Sequence, residues 1–158
     1  MKKKLIIIDT FGYFFRAFYA LPPLKSKDGF PTGLLTGFMN LLSSIINNHE
    51  ADYIVFALES KDGSFRKDMD VSYKANRSEA PDELKMQLPI AISWVEKMGF
   101  KNISINGFEA DDVIATIAKE AKKQDITTTI FSHDKDLYQL IDEDVNLFDP
   151  IKKVRIGR

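Results

Sequence analysis

The chain has 158 residues, 44% of them hydrophobic and 28% charged, with a formal net charge of −1. That describes one ordinary soluble globular domain with room for a sizeable core, and the near-neutral balance gives no general attraction to nucleic acid, so any such binding must come from local asymmetry. With no Cys there is no disulfide frame, thiol nucleophile or Cys-based zinc site, which suits a reducing cytoplasm. No stretch approaches the roughly 18 apolar residues of a membrane span, and the apolar run after Met1 to Lys4 ends at Asp9, short of the 7 to 15 or so that a signal-peptide core needs.

Leu5 to Ile8 reads as a buried strand ending at Asp9. Gly12 to Ala20 follows as a helix crowded with aromatics around Arg16, a cluster better explained by core packing than by base stacking, and Leu21-Pro22-Pro23 ends it. Thr32 is placed to cap the next helix, where Leu34, Leu35, Phe38, Leu41, Leu42, Ile45 and Ile46 recur at helical spacing. His49, at its polar tail, reads as a solvated surface residue. A second strand, Tyr53 to Leu58, runs into Glu59. The stretch 60–80 has no sustained period and is rich in charge, and so is expected to be a mobile functional loop. Pro81 and Asp82 open a third helix reaching about Lys97, with Gly99 as its stop and Pro89 expected to kink or interrupt it. A third strand at Ile103 to Ile105, a helix from about Glu109, a fourth strand at Thr127 to Phe131, a short helix carrying Leu137, Leu140 and Ile141, and a fifth strand at Val145 to Phe148 complete the order. Asp149 to Arg158 shows neither cap nor core signature.

Strands alternating with helices imply a parallel sheet, and in an open sheet of that kind ligands bind along the carboxyl edge that all the strands share. Each of the first four strands is followed by acid: Asp9; Glu59; Glu109, Asp111 and Asp112; Asp134 and Asp136. Two unit charges about 4 Å apart repel by roughly 4 kcal/mol at an effective dielectric near 20. Seven carboxylates on one edge therefore imply protonation or a bound divalent cation, and oxygen ligands without Cys or a His cluster favour Mg²⁺ or Mn²⁺ over Zn²⁺. The competing explanation, that they are helix caps and first-turn acids, would account for one Asp per helix but not for Glu109-Ala110-Asp111-Asp112 and Asp134-Lys135-Asp136.

The chain contains no phosphate-binding GxxxxGK[ST] loop, no GxGxxG after the first strand, no GxSxG elbow and no HExxH. His133 precedes Asp134 and is either a support to the acidic site or a loop residue. The stretches Ile8-Asp9, Phe15 to Pro22, Phe30-Pro31-Thr32-Gly33, Ser64-Phe65-Arg66, Tyr73 to Arg77, Glu109 to Ile114 and Asp134 to Leu137 resemble, in order and spacing, the 5′-nuclease domain of bacterial DNA polymerase I. The superfamily also includes stand-alone 5′-3′ exonucleases and flap endonucleases. The resemblance implies a PIN-like, resolvase-like α/β fold in three layers, with a central mostly parallel sheet and helices on both faces.

It further implies a metal-dependent hydrolase that removes 5′ flaps or RNA primers from branched or nicked DNA, acting as a monomer with two divalent ions in the complete domain. Asp9, Glu59, Glu109 and Asp111 match the acids of a first metal, and Asp112, Asp134 and Asp136 those of a second. Lys74 and Arg77 match basic positions that act on the scissile phosphate, Tyr73 an aromatic that stacks on a terminal base, and Arg16 and Arg66 arginines along the phosphate path. Thr10 and His133 stand where the family usually has Gly, and Glu59 where it usually has Asp; both lost glycines are expected to restrict turns that line the site. Residues 1–150 read as the catalytic core, with 60–80 as its basic arch and 151–158 as the start of a connection to a helix-hairpin-helix region that lies outside the chain. The expectation is then a weakly active or inactive piece, and the sequence leaves open whether a polymerase domain follows in the whole protein. Two other readings carry the same acids: a non-catalytic DNA-junction binding module and a PIN-like ribonuclease.

Overall fold

The computed structural model describes residues 2–20, 24–58, 82–105, 107–150 and 152–157. Its elements run β1 (Lys3–Asp9), α1 (Thr10–Ala20), α2 (Gly33–Asn48), β2 (Tyr53–Ala57), α3 (Asp82–Lys97), β3 (Lys101–Ile103), α4 (Ala110–Lys123), β4 (Ile126–Phe131), a 3-10 helix (Lys135–Leu140), β5 (Val145–Asp149) and β6 (Val154–Ile156). The six strands form one sheet in the order β3-β2-β1-β4-β5-β6. Its pairs are parallel except β5 with β6.

Alternation along the strands divides the core in two. Ile6, Ile8, Phe56 and Phe131 face α1, α2 and α3, whereas Leu5, Ile7, Val55, Ala57 and Ile130 face α4 and the 3-10 helix. Strands buried on both sides read as continuous apolar runs, which is why β1 and β2 were legible. On the first face Phe14 and Phe38 meet edge to face at 5.2 Å, and Phe38 meets Phe56 at 6.0 Å. Such pairs add about 0.5–1.5 kcal/mol each beyond burial.

The expected aromatic packing of α1 holds for Phe11, Tyr13 and Phe14, which are buried. The Tyr13 hydroxyl donates to Gly37 O at 2.8 Å, tying α1 to α2, and burial pushes its pKa up to about 12. Tyr19 is the exception, 53% exposed.

Several expectations need correction. Thr32 precedes α2 but makes no side-chain capping bond; instead Gln87 of α3, 1% exposed, accepts from Leu35 N–H at 3.1 Å through Oε1 and donates to Glu83 O through Nε2. A buried amide from another helix thus satisfies a donor that the local sequence leaves open. Pro89 does not interrupt α3, which runs unbroken to Lys97, and Gly99, with φ of +82°, supplies the left-handed turn after it. The third strand lies two residues earlier than expected, at Lys101–Ile103, because its register is set by pairing with Val55 to Ala57. His49 is not a solvated residue: it packs edge to face against Phe131 and Phe148, at 5.0 and 4.8 Å, and burial, then Arg155, holds its pKa down. The tail expected to lack structure contributes β6. The stretch 60–80 lies outside the described residues.

Candidate active site

The strand order reverses at β1, whose neighbours are β2 on one side and β4 on the other. Crossovers leave in opposite directions there, opening a crevice at the carboxyl ends of β1 and β4. Asp9 closes β1, and Ser132-His133-Asp134 follows β4.

Asp9 is 6% exposed. Burial raises its pKa, against the opposing effect of a hydrogen bond from Ser132; the charge of Asp134 raises it further, and the Gly12 N–H and His133 act to lower it. A chain of hydrogen bonds fixes the loop around it. Ser132 Oγ donates to Asp9 Oδ2 at 2.8 Å, Asp134 N–H donates to Ser132 Oγ at 3.0 Å, and Asp136 N–H donates to Asp134 Oδ1 at 2.9 Å. The last contact makes Asp134 the cap of the 3-10 helix, so capping and site-building fall on the same residue.

Asp111 arrives from the first turn of α4. Carboxylate oxygens of Asp111, Asp134 and Asp136 lie within 4.8 Å of one another. This trio crosses the division that the resemblance implied, in which Asp111 belonged with a first metal and the other two with a second. Glu109 is the N-cap of α4, exposed, with no side-chain capping bond, and Asp112 is exposed in the first helical turn. Glu59, Arg66, Tyr73, Lys74 and Arg77 lie outside the described residues. Arg16 pairs with Asp149 at 3.1 Å and lines a shallow cavity of about 430 Å³ with Phe15, Tyr19 and His133.

The donor set fits a hard divalent cation. Every candidate ligand is a carboxylate oxygen, three of them already converge, and Asp9 is close enough to Asp134 for its charge to be felt. Like charges held this closely repel unless a cation or protons offset them.

Sequence reasoning missed Gly12 and Ser132. A Cβ on Gly12 would lie 2.5 Å from Asp9 Oδ2, so the glycine is needed for the carboxylate's approach to the start of α1. The signal was an Asp followed three residues later by Gly, too common to single out. Thr10 and His133 do not strain the turns: the non-glycine residues with positive φ, among those described, are Asp125 and Lys153. Thr10 is buried and donates to Ile8 O at 3.3 Å.

The model of the family described as 5′-3′ exonuclease, N-terminal resolvase-like domain, matches residues 4–158. The chain belongs to the 5′-3′ exonuclease family. Among this family's relatives it is 44% identical over 149 residues to DNA polymerase I of Helicobacter pylori strain 26695, covering 92% of this chain and 16% of that protein. To the 5′-3′ exonuclease of Aquifex aeolicus it is 36% identical over 149 residues, covering 94% of this chain and 52% of that one. The chain thus spans about half or less of the relatives it matches. Among solved structures, the T5 5′-exonuclease with divalent zinc ions bound superposes with a TM-score of 0.70 at 20% identity, covering 98% of this chain and 58% of that one. The fold is therefore the resolvase-like α/β arrangement that the sequence implied, with a mostly parallel sheet between two helical layers.

Proposed function

We propose that the chain is the catalytic core of a divalent-metal-dependent 5′-3′ exonuclease and 5′-flap endonuclease that hydrolyses DNA phosphodiesters. The observation that carries this reading is the convergence of Asp111, Asp134 and Asp136 beside buried Asp9, at the switch point of a sheet whose chain belongs to a 5′-3′ exonuclease family. The junction-binding and ribonuclease readings draw no support from that family.

Asp9, Asp111, Asp134 and Asp136 would hold Mg²⁺ or Mn²⁺, with Glu59, Glu109 and Asp112 completing a two-ion set. When bound, such ions supply a water of lowered pKa and charge neutralisation at the attacking and leaving oxygens. The chain's own part is positional. Ser132 holds Asp9 in one orientation, Asp134 is fixed by the turn it caps, and α4 presents Asp111. Arg16 offers N–H donors to a backbone phosphate beside this edge, a contact that is indifferent to base identity. Lys74, Arg77, Arg66 and Tyr73 are the proposed remaining contacts, the first two on the scissile phosphate. With water as the nucleophile, no side chain need form a covalent bond to substrate.

The whole protein is proposed to act as a monomer in the cytoplasm on 5′-flapped or nicked DNA and on RNA primers, with a polymerase domain following in the manner of the Helicobacter relative. Among the described residues, no helix is long and apolar enough to cross a membrane. The test is cleavage of a 5′-flap DNA duplex with Mg²⁺ or Mn²⁺, beside a single-stranded RNA and an Asp111→Asn control. Metal-dependent flap cutting that the substitution removes supports the reading. Preferential cutting of the RNA, or cutting that survives the substitution unchanged, contradicts it.

A further inference from the structure

Arg16 reaches from α1 to the carboxyl end of β5, where its Nη1 lies 3.1 Å from Asp149 Oδ2. Asp149 is 6% exposed, and its second oxygen is also engaged: Oδ1 accepts from Lys152 N–H at 3.1 Å in the turn between β5 and β6. Lys153 N–H closes that turn on Asp149 O at 2.7 Å. The turn fixes the carboxylate, and the carboxylate fixes the guanidinium at the wall of the cavity that Arg16 shares with Phe15, Tyr19 and His133.

Resting on the nuclease reading of this edge, we propose that Asp149 is a positioning residue that holds Arg16 ready for a DNA backbone phosphate seated in this cavity. A guanidinium carries five N–H donors in a rigid fork. One side engaged by Asp149 leaves others for phosphate. An arginine without this partner would have to lose its side-chain freedom when DNA arrives, whereas here that ordering is done in the folded chain.

A carboxylate beside a phosphate-binding arginine can act in two opposite senses. As a competitor it would weaken binding by repelling the phosphate and occupying the guanidinium. As a positioner it strengthens binding. Competition is limited because the contact engages one corner of the fork and the carboxylate is itself held by the turn. The sign of the effect on affinity therefore separates the two roles.

The experiment measures 5′-flap DNA binding to the full 158-residue chain by fluorescence anisotropy at low salt without divalent metal. Asp149→Asn keeps an oxygen for Lys152 N–H while removing the charge. It should raise the Kd about three- to tenfold, and in an Arg16→Ala background it should change the Kd no further. Unchanged or tighter binding overturns the proposal, as does an equal loss in the Arg16→Ala background, which marks a structural effect. Failure of the unaltered chain to bind the flap overturns it as well. Binding with these dependences upholds the positioning role, whereas preferential cutting of single-stranded RNA, or cutting that survives Asp111→Asn, counts against the nuclease reading. Should Asp149→Asn not fold, ¹⁵N relaxation of the Arg16 Nε–H in the unaltered chain decides: order like that of the rigid backbone supports the proposal, and free averaging of the side chain overturns it.

Discussion

Ser132 Oγ donates a hydrogen bond to Asp9 Oδ2 at 2.8 Å, joining the ends of β1 and β4 across the switch point of the sheet. The bond stabilises the charged carboxylate against burial, which pushes its pKa up. Ser132→Ala removes a bond to a charged group, of the kind that contributes about 1.5–3 kcal/mol. Asp9 should then hold its proton to higher pH than in wild type, and Mn²⁺ affinity measured by calorimetry should be weaker than wild type and approach it as pH rises. An affinity equal to wild type across that range would show that the bond does not tune the site.

The raised pKa of Asp9 also sets a sign for stability. Between its ordinary value of 3.8 and its raised folded value, the native state holds more protons than the unfolded state, so stability from this group falls as pH rises. Asp9→Asn removes that loss. In metal-free buffer the mutant should melt above wild type, with a difference that is small at and below the ordinary carboxyl value and grows as pH rises toward the raised folded value. Thermal melts across pH check this, and a gap that narrows as pH rises would contradict it.

Gly12→Ala sets two local effects against each other. Alanine in a helix is favoured over glycine by about 1 kcal/mol, but this Cβ would meet the Asp9 carboxylate at 2.5 Å. Overpacking of that kind costs about 1–3 kcal/mol, and the buried carboxylate, held by Ser132, has little room to retreat. The expected result is net destabilisation with weaker metal binding. A mutant more stable than wild type with unchanged Mn²⁺ affinity would show that Asp9 yields freely.

Gln87 offers a control far from the acids. Replacing it with Leu leaves Leu35 N–H at the start of α2 without its buried acceptor, at a cost of about 1–3 kcal/mol. Denaturant unfolding should show the loss, while Mn²⁺ affinity at low temperature should be unaltered. Unfolding at wild-type denaturant concentrations would mean that α2 finds another cap.

The legible part of this molecule was the part with a clear period or a clear charge conflict. The apolar spacing of α2 and the unbroken runs of β1 and β2 gave the parallel order, and that order placed Asp9, Asp111, Asp134 and Asp136 on one edge. β3 was placed late because a short edge strand is positioned by pairing with Val55 to Ala57 rather than by its own apolarity. β6 was missed because Val154 and Arg155 are exposed and Lys153 turns through a positive φ, leaving little apolar pattern to read. Tertiary partners were invisible for the same reason: Gln87 capping α2, Asp149 holding Arg16 and His49 against two rings all join residues far apart in sequence. The resemblance named the acids, but which of them meet depended on the loop geometry that Ser132 and Asp134 impose.

Diffraction from a crystal of the chain soaked in Mn²⁺, with anomalous differences collected, tests the metal centre most directly. An anomalous peak should lie among the Asp111, Asp134 and Asp136 carboxylates, within direct coordination distance of their oxygens, and Asp134→Asn should weaken it. A fully occupied Mn²⁺ bound elsewhere, with these three carboxylates turned apart and no peak between them, would contradict a metal-dependent nuclease site at this edge.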